Sequence, residues 1–270
     1  MIKDKPEMER LTARQLWKHA PRTPGMLFIS ALVYPAFRRE VSKPVRIAVI
    51  GEPGVGRRTT LDAVFNRGSK LSEHEITHIK ESEELEIPVE IRNYPNGPVR
   101  VYNLPVVGYS GVIDHALRLT YANTLRRCEL VLWVIDATKP ITDEQVELRD
   151  MMLAVKGDMR GVVVAINRVD EVRPGTWIPG YNIHDTEQEK SIEAVVSDIR
   201  EKLALRELTS DRIVPISATT WFSLSTLVTE MQDSFTELRN WVFIGRTNYA
   251  DYTKKIPPRI LEEISKLKNP

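Results

Sequence analysis

"PVRIAVIGEPGVGRRTTLDAVF" (residues 44–65) decides the fold of this chain. An apolar run, 44–52, reads as a buried strand and ends in a turn containing Gly51, Gly54, Val55 and Gly56. Residues 58–66 follow with Leu61, Val64 and Phe65 on one helical face. Gly51 and Gly56 keep the spacing of G-x-x-x-x-G-K-[ST], a loop that cradles phosphates. Arg57, however, stands where that pattern has Lys, and Arg58 where it has the Mg²⁺-binding hydroxyl. Strand-to-helix turns also use glycine for plain backbone reasons. Here the strand before and the helix after aim loop amides and a helix N-terminus at one point, which suits an anion.

Outward from the loop, short apolar runs alternate with longer amphipathic ones, the pattern of an α/β fold with a mostly parallel sheet. "RGSKLSEHEITHIKES" (67–82) is charged, has little apolar periodicity and reads as a mobile connector. "EIPVEIRNY" and "VRVYNLP" flank Pro95-Asn96-Gly97, a strong hairpin signal because Asn-Gly tolerates positive φ. Helices are expected at about 115–128, 143–156, 186–206 and 223–240, and strands at 130–138, 161–170 and 212–218. The expectation is a three-layer fold around a six-stranded, mostly parallel sheet with one antiparallel strand pair. Residues 1–43 are expected as an N-terminal helical extension, 44–240 as the main domain and 241–270 as a tail with a short helix.

Composition narrows the classes. The 38 basic and 37 acidic residues nearly cancel, so no global charge points to nucleic acid or anionic lipid. One cysteine, Cys128, excludes an internal disulfide and fits a reducing compartment. The start, "MIKDKPEMERL", lacks the apolar core of a secretory signal. The longest apolar stretch, 25–37, contains Pro35 and falls short of the ~20 residues that span a bilayer. A soluble cytoplasmic protein is expected.

Two further motifs stand at strand ends, where ligands bind in open α/β sheets. "NRVD" places Asn167, Arg168 and Asp170 after one strand. A carboxylate there accepts hydrogen bonds from N1–H and the exocyclic amine of guanine, whereas adenine offers an acceptor at N1. Charge-assisted bonds contribute about 1.5–3 kcal/mol each, so Asp170 would select guanine at least a hundredfold. Asn167 would bridge base and loop, and the stem of Arg168 would lie over the base. "ISAT" puts Ser217 and Ala218 after the next strand, where a small residue lets a backbone N–H approach the guanine carbonyl. Either motif alone is common.

In this order and spacing the motifs resemble the Era-like branch of small GTP-binding domains. "GEPGVGRRTTLDAVF" is similar, without a gap, to the first motif of that branch, and "CELVLWVIDATKPITDEQ", "VVVAINRVD" and "IVPISATTWFSLSTL" resemble its later stretches. The likeness covers about residues 45–235 and leans toward ribosome-associated, dynamin-like members with a one-domain plan. It implies a P-loop GTPase fold and a bound GTP or GDP. It also implies a protein partner, with ribosome or RNA as a further candidate on the resemblance alone.

The departures cluster on one side. Relatives use the loop Lys on the β- and γ-phosphates and the next hydroxyl on Mg²⁺. Arg57 keeps charge without the compact ammonium, Arg58 removes the metal ligand, and Thr59 falls in the position that contacts the α-phosphate. The family's D-x-P-G becomes "NLPVVG" (103–108), with Asn103 for the Asp and Val106 for the Gly. Thr77, the single threonine of the connector, is the candidate switch residue. Mg²⁺ is therefore doubtful, and no residue is assigned as catalytic. The leading reading is a guanine-nucleotide-binding protein with weak, Mg²⁺-independent or absent hydrolysis. The alternatives are an active GTPase with a non-standard site, for which the apolar Val107 speaks, and a nucleotide-free pseudo-GTPase scaffold. His74 and His78 are four apart in a charged stretch and read as solvated rather than as zinc ligands. Cys128 lacks an assigned His partner. His115, after the third motif, is a candidate neighbour of the nucleotide.

Overall fold

Runs of Val, Ile and Leu without polar interruption suit strands covered on both faces, and two of them form the centre of the sheet. Strand β5 (Leu130–Asp136) and strand β6 (Val162–Asn167) are buried at every residue. The computed structural model describes residues 43–65, 76–82, 85–93, 99–105, 115–178, 182–206, 208–235 and 239. The chain divides into two compact units, Met1–Pro44 and Val45–Pro270. All the elements below belong to the second.

The remaining strands are β1 (Val45–Ile50), β2 (Ile76–Ser82), β3 (Leu85–Asn93), β4 (Val99–Asn103), β7 (Trp177–Ile178), β8 (Ile183–His184) and β9 (Ile213–Pro215). The helices are α1 (Arg57–Val64), α2 (His115–Arg127), α3 (Asp143–Lys156), α4 (Thr186–Lys202) and α5 (Leu224–Asp233). Seven strands form one sheet in the order β2-β3-β4-β1-β5-β6-β9. Strands β4, β1, β5, β6 and β9 run parallel, while β3 is antiparallel to both β4 and β2. The expected α/β class and the β3–β4 antiparallel pairing are therefore present.

The sheet has seven strands rather than six because part of the stretch read as a mobile connector forms β2. Its residues "ITHIKES" are polar enough to resemble a loop, yet an edge strand needs only one hydrogen-bonded neighbour. The hairpin tip at 95–97, the helices expected at the two chain ends, His74, Val106 and Val107 lie outside the described residues.

Helix boundaries follow local chemistry. Thr142 caps α3 in a capping box with Gln145, and Gly157 closes the helix in a left-handed conformation. Asp185 caps α4 by accepting from the Gln188 N–H. One face of the sheet packs Trp133, Ile135, Val164 and Ile166 against Tyr121 and Leu125 of α2, Leu148 and Met152 of α3 and Ile192 and Ile199 of α4.

The parallel strands end together at one edge. Register pairs Val49 with Asn103, Ile50 with Trp133 and Asp136 with Asn167. Strand β1 lies between β4 and β5, so the chain leaves it in opposite directions and opens a crevice above its carboxyl end.

Candidate functional site

The loop after β1 occupies that crevice. Gly51 has φ 145°, and a Cβ there would sit 2.3 Å from the Val134 carbonyl oxygen of β5, so this position tolerates no side chain. Gly56 has φ 91°, and its Cβ would lie 2.4 Å from Asn167 Nδ2. Helix α1 then starts without a side-chain cap, leaving its first-turn amides directed at the crevice. Thr60 is buried and turns its hydroxyl back to the Gly56 carbonyl at 2.9 Å. Arg58 and Thr59 are exposed on the first turn of α1.

On the β6 side, the polar groups interlock. Asn167, 3% exposed, donates from Nδ2 to the Val55 carbonyl at 2.8 Å and accepts the Ala218 N–H on Oδ1 at 3.0 Å. One amide thus ties together the glycine loop, the end of β6 and the turn after β9. The contact expected between Asn167 and the loop is present, and the same amide also accepts the Ala218 N–H.

Arg168, in the left-handed region at φ 67°, donates from Nη2 to the Gly54 carbonyl at 2.9 Å. Its Nη1 lies 3.4 Å from Asp136 Oδ2. Asp136 is 1% exposed, so its charge requires compensation. Thr138 supplies N–H and O–H to Oδ1 at 3.0 and 2.7 Å, and Lys139 Nζ stands 3.6 Å from Oδ2. The sequence reading missed Asp136. Its signal was an acidic residue closing an otherwise apolar run, "LVLWVID", at the edge where ligands bind.

Asp170 lies in a 3-10 turn, Val169–Glu171, pinned to the next strand's end by Val169 N–H to the Ile216 carbonyl at 3.2 Å. Its backbone carbonyl accepts hydrogen bonds. Its half-buried carboxylate makes no hydrogen bond or ion pair among the described residues. Ser217 is buried and accepts the Thr220 N–H at 3.1 Å.

On the β4 side, Arg57 reaches across the crevice. Its Nη1 donates to the Leu104 carbonyl at 2.6 Å. The next carbonyl, Pro105, accepts from the Tyr121 hydroxyl at 2.6 Å. Burial raises the Tyr121 phenol above its ordinary pKa, and the nearby Arg57 charge partly opposes that rise. The first and third motifs are thus joined by a side chain in the place of the family's Lys. Asn103, 8% exposed, ends β4 beside them. Glu52 of the loop accepts the Thr142 hydroxyl at 2.5 Å, linking the loop to the cap of α3. His115 is exposed at the start of α2. Thr77 lies within β2, opposite Ile91 of β3.

No family model matches the chain. It is similar to proteins named GTPase Der: 25% identical to that of Rhizobium johnstonii over 236 residues, which are 84% of this chain and 45% of the relative. The Chloroflexus aurantiacus GTPase Der is 24% identical over 140 residues, 50% of this chain and 29% of the relative. The chain thus spans less than half the length of these relatives. Among solved structures, Era in complex with MgGDPNP and 16S ribosomal RNA is 24% identical, with 72% of this chain and 58% of that one covered at a TM-score of 0.46. The LeoA bacterial dynamin GTPase from ETEC is 18% identical, with 87% and 42% covered at 0.48. The similarity to GTPase Der joins the glycine loop at the switch point and the motif order along the sheet edge: the chain is similar to P-loop GTPases in sequence and shares their α/β architecture.

Proposed function

We propose that this chain binds GTP or GDP with guanine selectivity, that it does so without requiring Mg²⁺, and that its hydrolysis is weak or absent. The observation that carries the reading is an asymmetry across the crevice. On the base side, Asn167 and Arg168 hold the glycine loop through Val55 and Gly54, and Asp170 presents a carboxylate uncommitted among the described residues. Such a carboxylate pairs with the two adjacent N–H donors of guanine and with no equivalent pair on adenine. On the phosphate side, the donor set does not fit Mg²⁺. Position 58 offers a guanidinium in place of an oxygen, Asn103 offers a neutral amide in place of a carboxylate, and Thr60 spends its hydroxyl on Gly56. Magnesium binds through hard oxygen ligands, so no step is routed through the metal.

The chemistry left to this chain is binding and positioning. Loop amides and the start of α1 receive phosphate oxygens. Arg57 supplies positive charge while holding the Leu104 carbonyl. With a guanidinium at position 58 where the P-loop pattern has a hydroxyl, the bound nucleotide would persist and act through the surface it orders. A protein partner is the expected reader of that surface. The named partner of one solved relative is ribosomal RNA, which makes RNA the second class to test. Among the described residues no helix is long and apolar enough to cross a membrane, in keeping with a cytoplasmic site of action. Residues 1–43 and 241–270 are proposed as flanking appendages of a nucleotide-binding domain at 44–240.

Calorimetry on nucleotide-stripped protein tests the proposal, with GTP, GDP and ATP titrated in Mg²⁺ and in EDTA. Guanine-selective binding that is equal in both media is expected. Strict Mg²⁺ dependence would overturn the metal-free reading and restore an active enzyme. No binding of any nucleotide would leave a scaffold.

A further inference from the structure

The carboxylate of Asp170 has no protein partner among the described residues to hold it, so its aim depends on the backbone beneath it. Two side chains hold that backbone: Arg173 Nη1 donates to the Asp170 carbonyl at 3.2 Å and the Val172 carbonyl at 3.0 Å, and Gln188 reaches it from α4. Gln188, in the first turn of α4, is fully buried. Its Nε2 lies 3.2 Å from the Val169 carbonyl, 3.3 Å from the Asp170 carbonyl and 3.2 Å from the Val172 carbonyl. These three oxygens belong to the turn that carries Asp170. Two N–H bonds shared among three acceptors make a three-pointed clamp.

The clamp is itself fixed. Gln188 N–H donates to Asp185 Oδ1 at 2.8 Å, while Asp185 Oδ2 accepts the Thr176 N–H at 2.9 Å. Gly175 lies so close that a Cβ there would fall 2.3–2.4 Å from Gln188 N, Cα and Cβ. The segment between the turn and α4 is thus folded back on Gln188. Its small ribbon, β7 with β8, packs Trp177 edge-on against Phe222 at 5.1 Å between ring centroids. The Phe222 carbonyl accepts the Ser217 N–H at 3.3 Å, in the turn that contains Ala218. The base-side turns after β6 and β9 are therefore braced by the same segment.

We infer that Gln188 is a positioning residue for base recognition: it fixes the turn that aims the Asp170 carboxylate and so sets guanine selectivity without touching the nucleotide. The inference rests on the proposal that Asp170 reads guanine.

The test measures GDP, ADP and inorganic pyrophosphate affinity for the full chain and three variants, Gln188→Met, Gln188→Asn and Asp170→Ala. Met keeps the volume and removes both donors. Asn keeps the amide on a stem too short to reach all three carbonyls. The expected result is an affinity for GDP about tenfold lower in Gln188→Met, with the GDP-to-ADP ratio falling in proportion and pyrophosphate affinity unchanged. Gln188→Asn should show a smaller loss in the same direction, and serves alone if the Met variant does not fold. A lower melting temperature with the GDP-to-ADP ratio preserved in both Gln188 variants would reduce Gln188 to a structural residue and overturn the inference. Asp170→Ala separates the two levels. If it abolishes selectivity while the Gln188 variants retain it, only the positioning role fails. If it leaves selectivity intact, the base-recognition reading fails with it.

Discussion

Replacing Asn167 with alanine should be among the most damaging single changes in the domain, and its size can be worked from three atoms. Asn167 is 3% exposed, and its amide makes two hydrogen bonds, to the Val55 carbonyl at 2.8 Å and from the Ala218 N–H at 3.0 Å. Alanine leaves both backbone groups without that partner in a buried setting. Each orphaned group costs about 1–3 kcal/mol. Part of this is recovered if water enters the space vacated beside Gly56. The net expectation is ~3 kcal/mol of lost stability, equivalent to a fall of roughly 6–12 °C in Tm for a domain of this size. Urea unfolding followed by tryptophan fluorescence reads it, with Trp133 fully buried in the core as reporter. The midpoint should fall while the slope stays constant, because the surface exposed on unfolding is unchanged. The companion Asn167→Asp keeps the shape and can still accept the Ala218 N–H, but presents an oxygen to the Val55 carbonyl. It should therefore be no more stable than the alanine variant. A loss under ~1 kcal/mol for Asn167→Ala would show that the loop and the two strand-end turns are held by other means, and the reasoning would fail.

Other outcomes follow from single contacts. Gly56→Ala forces a left-handed φ of 91° on a residue whose Cβ would meet Asn167 Nδ2 at 2.4 Å. A loss of at least ~2 kcal/mol is expected, and the double variant with Asn167→Ala should lose less than the sum in a double-mutant cycle, since both break the same contact. Arg57→Met removes the donor to the Leu104 carbonyl; GDP affinity should fall with the GDP-to-ADP ratio unchanged, and a changed ratio in calorimetry would place Arg57 on the base side. Asp185 is held below its ordinary carboxylate range, chiefly by the Gln188 N–H and also by Thr176. A depressed folded-state pKa gives stability that is present above the unfolded value of ~3.9 and lost as pH falls through the folded one. The Tm deficit of Asp185→Ala should thus be full at pH 7 and shrink in strongly acidic buffer; a deficit independent of pH would refute the assignment.

The parts of the fold legible in the sequence are those where chemistry repeats along the chain. "LVLWVID" and "VVVAIN" are apolar at nearly every position because both sheet faces are covered, and both are strands. Thr142 and Gln145 announce the start of α3 three residues apart. Elsewhere the determinant is not local. Strand β2 is charged and lies at the sheet edge, so nothing in its own pattern demands pairing; it pairs because β3 is there. Strands β7 and β8 have two residues each, too few for a period to register. At the site, the residue types at the loop and at 167–170 could be read, but their partners could not. That Asn167 consumes the Ala218 N–H, that Arg168 leans on Asp136 and that Arg57 crosses to Leu104 are facts about where long or amide side chains end. Spacing places the Cα and leaves the tip free.

These tips explain why the two halves of the crevice differ in kind. On the β6 side the anchoring contacts join groups within the protein: Asn167 to Val55 and Ala218, Arg168 to Gly54 and Asp136, Gln188 to three carbonyls. Those contacts exist before any ligand arrives, so binding there orders little and the cost of orientation is already met by folding. Among the described residues the Asp170 carboxylate is uncommitted, and in the proposed reading it is the group that distinguishes one base from another. On the β4 side the cation is the feature that matters. Arg57 and Arg58 occupy the sequence positions where the P-loop pattern has Lys and the Mg²⁺-binding hydroxyl. At 4 Å and an effective dielectric of 20, two unit charges repel by ~4 kcal/mol, and a divalent ion doubles that. On the proposed reading, a site that already carries its positive charge on side chains gains little from a metal and resists one. Under the proposed reading, phosphate affinity in the absence of Mg²⁺ depends on these two residues, and it should give way to Mg²⁺-dependent affinity when Arg57 and Arg58 are returned to Lys and Ser.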